Sequence, residues 1–191
     1  MTTTNEIPSQ YEMRANAPMW WYNKSSHLRA AATVLRVAPE VCDYSDLAKK
    51  IGSADAISDI GFAEPVYEML CGMSLELIYK AVLVAKREEN PDSHDLNDLA
   101  ARVGINRTEN IRNTLNLFTH AVIWDGKYPV PREKYEIEYY NRQALCAKIG
   151  GSGNLSKVAE RIETAIGLKA FNKLWSDAAE LFFEEKECNF S

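Results

Sequence analysis

The sequence predicts an all-α fold, an irregular helical bundle, and three observations predict it. Apolar residues recur at three- and four-residue spacing through most of the chain. Residues suited to opening and closing helices stand at the ends of those stretches, and no run alternates as a half-buried strand would. With 191 residues the chain can bury one substantial core. A single domain is therefore expected over 17–191, behind a loosely held polar arm at 1–16.

From Pro18 to about Val37, Trp20, Trp21, Leu28, Ala31, Ala32 and Leu35 fall on one broad side of a helix. Asp43 and Ser45 can each cap a short helix carrying Leu47 and Ile51, with Gly52 as its stop. Pro65 suits the first turn of a helix running to about Arg87. On that helix Leu70, Met73, Leu77, Ala81 and Val84 line one side, while Leu75, Ile78, Tyr79, Val82 and Leu83 take much of the rest. A helix apolar nearly all round is a buried one. Its small pair, Cys71-Gly72, reads as a close helix crossing.

A short helix should begin near Ser93, carry Leu96, Leu99 and Val103, and stop at Gly104. Asn106 should open the next, with Glu109 three residues on as in a capping box. Ile111, Leu115, Phe118 and Val122 form its core side. Glu109, Asn113, Asn116 and His120 lie opposite, as a solvated face or an interface. "WDGKYPVPRE", Trp124 to Glu133, reads as a turn-rich break. A tyrosine-rich segment leads to Ile149, and "GGSG" at 150–153 reads as a flexible linker. Asn154 should then cap one final helix running through Val158, Ile162, Leu168, Leu174 and Trp175 to Leu181 and an acidic end.

Composition narrows the function classes. Twenty-two basic against 27 acidic residues, a net charge of -5, disfavours a protein that coats duplex nucleic acid. The four cysteines lack metal-site spacing and fit reduced thiols in the cytoplasm, so neither metal nor cofactor is expected. The longest apolar run, Met73 to Ala85, is interrupted by Glu76 and Lys80 and is too short to span a bilayer.

Three pieces of sequence stand in a telling order. "LELIYKAVLV" carries Glu76, Lys80 and Ala81, "HDLNDLA" carries His94, Asp95, Leu96 and Leu99, and "WDGKYP" carries Lys127, Tyr128 and Pro129. In order and separation they resemble the HEPN superfamily of helical domains, over roughly Pro65 to Pro131. There an E-x-x-x-K-A helix is followed by H-D-L-x-x-L and then by an R-Y-P turn, where this chain has Lys127 for arginine. The resemblance implies a helical bundle, frequently dimeric, from prokaryotic toxin-antitoxin, phage-defence and RNA-processing systems. Many members are metal-independent ribonucleases that use an arginine followed, after four to six residues, by a histidine.

That signature is degenerate in this chain. Arg87 and His94 have six residues between them, but "EENPDS" is a loop. Arg112 and His120 have seven, which on a helix sets the side chains roughly 80° apart and about 12 Å along the axis. Lys127 is followed by no histidine in the window. The first expectation is accordingly a non-nucleolytic or weakly active HEPN-like binding component of an RNA-linked defence or stress system. An endoribonuclease using Arg87, His94, Arg112 or His120 is the alternative, and a protein-only adaptor the third reading.

Residue by residue, Glu76, Lys80, His94 and Asp95 are expected to form a helix junction. An i,i+4 Glu-to-Lys order supports a helix by itself, and a histidine and aspartate ahead of a helix can cap and orient it. Lys127, Tyr128, Arg132 and Tyr135 combine cations with aromatic rings, as single-strand binders do. They are the candidate contact for single-stranded RNA or a nucleotide. A homodimer is expected from the apolar girth of the Pro65–Arg87 helix, with the helix carrying Tyr79, or the final helix with Leu174 and Trp175, facing the partner.

Overall fold

The computed structural model describes residues 9–41, 46, 49, 50, 52, 64–88, 92–128 and 148–190. Among them every regular element is helical, as expected: α1 (Gln10–Ala15), α2 (Pro18–Val41), α3 (Glu64–Ala85), α4 (Leu96–Val103) and α5 (Glu109–His120) come first. A π-helical turn, Ala121–Asp125, extends α5, and α6 (Leu155–Ile166) and α7 (Leu168–Phe190) follow. The Asp43 or Ser45 cap and the tyrosine-rich segment lie outside the described residues.

Helix α3 is the axis. Fourteen of its 22 residues are buried, on every side of the helix, because α2, α4, α5 and α7 all pack on it. Leu75, Ile78, Tyr79 and Leu83 meet Phe118 of α5 and Phe171 and Phe182 of α7 in one core. Removing such a side chain from water contributes roughly 1.5–3 kcal/mol apiece. Gly72 marks the crossing with α5: a Cβ there would stand 2.6 Å from Val122 Cγ2 and 2.7 Å from the Phe118 carbonyl oxygen.

The ends of the helices have local causes. Ser9 and Glu12 form a capping box that opens α1 within the stretch assigned to the polar arm. Asp95, rather than Ser93, is the N-cap of α4, and Gly104 closes it at φ 94°. Helix α5 starts later than expected, since the Thr108 hydroxyl, not Asn106, accepts the Ile111 N–H. "WD" of the expected break instead continues the helix as the π turn.

Two expectations of the helical pattern are overturned. The single final helix is two, because Gly167 takes an extended ψ of 171° and its missing Cβ leaves room for the Glu163 carbonyl, 2.3 Å from where that carbon would lie. His120 is 2% exposed rather than part of a solvated face. The reason is α4, which covers that flank: Leu96 N–H donates to Thr119 Oγ1 and Asn97 Nδ2 to Asn116 Oδ1. The glycine-serine link is also tied, with Arg161 Nη1 donating to the carbonyls of Gly150 and Ser152.

Candidate functional site

Glu76 and Lys80 stand one turn apart on α3, where the helix would otherwise be apolar. Both are buried, and Lys80 Nζ donates to Glu76 Oε1 at 2.9 Å. The same oxygen lies 3.1 Å from His94 Nδ1, while the His94 side chain keeps 62% of its surface. One nitrogen of the imidazole is thus anchored on a buried carboxylate and most of the ring is in solvent. A carboxylate on Nδ1 fixes ring orientation, and in that tautomer Nε2 is the free acceptor.

The residues that follow bind this turn to two more helices. Asp95 Oδ1 accepts the N–H groups of Asn97 and Asp98 at 2.8 and 3.2 Å, and Ser93 Oγ accepts that of Asp95. Asn97 then reaches Asn116 and the Arg112 carbonyl on α5. The four sequence candidates Glu76, Lys80, His94 and Asp95 therefore meet at one place, the joint of α3, α4 and α5.

The arginine and histidine candidates share no hydrogen bond. Arg87 has φ 62°, a conformation rare for a residue with a side chain. Its N–H donates to the Val84 carbonyl and the next one, Glu88 N–H, to Leu83, the double bond of a Schellman stop with arginine where glycine is usual. Arg112 Nη1 donates to the Arg107 carbonyl at 2.9 Å. Neither arginine hydrogen-bonds to His94 or His120. The His120 ring packs edge-on against Trp124 with centroids 4.7 Å apart. Lys127 and Tyr128 are exposed just beyond the π turn, and Arg132 and Tyr135 lie outside the described residues.

Burial shapes the titration of three groups. It pushes the Tyr67 and Tyr79 hydroxyls and the Cys71 thiol far above their ordinary values. Among the described residues no group of acidic, histidine or cysteine side chains could hold a metal, and no helix is long and apolar enough to cross a membrane.

Two concave surfaces were not among the sequence candidates. A groove of about 510 Å³ runs between α1 and α2, with Tyr11, Arg14, Trp20 and Lys24 along it. A larger cleft of about 690 Å³ opens between α5, α6 and α7. Its walls come together only because the chain turns at Gly167, a glycine that a continuous helical pattern conceals. Tyr79, Leu174 and Trp175, carried on the helices expected to face a second copy, are themselves buried within the one chain. Comparison of the chain with family models, with curated proteins and with solved structures returns no match.

Proposed function

We propose that this chain is a HEPN-like helical protein that works by binding, without ribonuclease activity of its own, as an accessory component of a prokaryotic RNA-linked defence or stress system. The observation that carries the reading is the shared Glu76 oxygen. Glu76, Lys80 and His94, the polar residues of the resembling motif, are spent on each other and on joining α3 to α4. Arg87 closes α3 through its backbone, and Arg112 Nη1 holds the Arg107 carbonyl. Exposed Lys127 and Tyr128 remain the proposed contact for single-stranded RNA or a nucleotide, by phosphate neutralisation and stacking. A second copy, if it pairs as proposed, meets a face other than the buried Tyr79 and Trp175.

Incubation of the purified chain with single-stranded RNA in chelator tests this. The expected result is retention that weakens steeply with salt, without cleavage. One observation favours the second reading, an endoribonuclease: the anchored Nδ1 and solvated ring of His94 are how an acid–base histidine is held. Metal-independent cleavage lost in His94→Ala at an unchanged Tm would establish that reading and end the first.

A further inference from the structure

The cleft between α5, α6 and α7 has the size, lining and charge of a ligand site. At about 690 Å³ it falls within the range of pockets that enclose small molecules. Its floor is apolar, with Ile111, Ile149 and Leu174, and its small wall residues Ala165 and Ala170 leave the volume open. A flat apolar body can lie there out of water.

The rim is charged, and the charges do not cancel. Lys173 is closed on Asp177, both carboxylate oxygens at 3.0 Å. Arg161 is fixed by the carbonyls of Gly150 and Ser152, which use one of its guanidinium nitrogens and leave the other donors available. Lys157, one turn away on the same helix, has no ion pair among the described residues. Glu160 is the one remaining acid of the lining. Lys157 and Arg161 against Glu160 make the unpaired rim positive in a chain of net charge -5. Lys157 belongs to the first turn of α6, whose dipole adds to its pull on an anion.

We propose that this cleft binds a small amphipathic anion, an apolar or aromatic body seated on Ile111 and Leu174 with one acidic group held by Lys157 and Arg161. The site is remote in sequence from His94 and Lys127 and needs no RNA, so assays of RNA retention or cleavage neither support nor damage it.

Anilinonaphthalene sulfonate, an aromatic body with a single anionic group, is the direct probe, titrated into the folded full-length chain. The expected result is a saturable fluorescence rise at one dye per chain. Ala170→Phe and Thr164→Phe, which enlarge lining residues of α7 and α6, should each weaken it at least about tenfold, since a packed ring takes the volume the ligand needs. Lys157→Glu should weaken it and remove its salt dependence, with the Tm of each variant recorded so that a folded variant is the one scored. Displacement by decanoate assigns an acyl carboxylate, and displacement by adenosine monophosphate a nucleotide phosphate. No saturable binding, binding untouched by all three substitutions, or displacement by neither competitor would overturn the proposal.

Discussion

Ser25 of α2 and Ser74 of α3 exchange hydrogen bonds across the helix crossing, each hydroxyl donating to the other's carbonyl oxygen, at 2.7 and 2.9 Å. Trp175 of α7 completes the knot by donating Nε1 to Ser25 Oγ at 2.7 Å. Three helices far apart in sequence are thereby pinned at one buried polar point, and every donor in it is used. Ser25→Ala would strand the Trp175 N–H, while the Ser74 carbonyl keeps its bond within α3. The expected loss is about 1–3 kcal/mol for that stranded group, read from urea unfolding. A loss below the error of that measurement would show that the knot is not worth its geometry.

Gly72→Ala should destabilise by about 1–3 kcal/mol, because the new methyl meets a backbone carbonyl as well as Val122. Val122→Ala in the same chain clears only the side-chain contact, so recovery should be partial. Full recovery would move the clash from the Phe118 backbone to Val122.

Glu76→Ala leaves the Lys80 ammonium buried beside a histidine, and breaking such a pair costs about 3–5 kcal/mol. The double replacement Glu76→Leu with Lys80→Met should be far milder than Glu76→Ala, since it removes both charges. Equal losses in the two proteins, by thermal or urea unfolding, would mean that packing at this level of α3 matters and the charges do not.

Arg87→Gly should raise stability by about 1 kcal/mol by relieving the left-handed backbone at the end of α3. The same substitution distinguishes a helix stop from a reacting group. A stabilised protein whose RNA retention is unchanged is the expected outcome.

Alkali should unfold the protein through groups that burial keeps protonated. Cys71, Tyr67 and Tyr79 have folded pKa values above their unfolded ones, so their contribution is complete below the unfolded values, about 8.5 for the thiol and about 10 for the phenols. It is lost as pH rises beyond them, because the unfolded chain releases those protons first. The urea midpoint should therefore hold near neutrality and fall above about pH 8.5. Tyr79→Phe should flatten that fall. It should also stabilise at neutral pH by about 1 kcal/mol, as the Tyr79 hydroxyl is buried with no hydrogen-bond partner among the described residues.

Much of this fold was legible in the sequence, and what was not has physical reasons. Helix α3 could be read because its residues are apolar on every side, and α4 because Asp95 and Gly104 carry cap chemistry in their side chains and backbone. Gly167 was concealed because Ile166 and Leu168 continue the apolar period through it, and only the three-dimensional turn reveals the break. The burial of His120 depends on α4 lying against a particular flank of α5, which a wheel drawn for one helix cannot contain. Of the site, the Glu76–Lys80 spacing was visible on one helix. That His94 would share Glu76 Oε1 rests on an 18-residue return of the chain, and the α5–α6–α7 cleft on returns longer still.

The enclosure of α3 also sets how the molecule breathes. Helices from opposite halves of the chain cover its flanks, so α2 and α7 each have to leave before solvent reaches the middle of α3. Exchange there proceeds only through large openings, whereas α6, in which Ile166 alone is buried, can open by itself. Deuterium should thus enter α6 within the lifetime of an otherwise closed protein, and the wall of the cleft becomes its most yielding part.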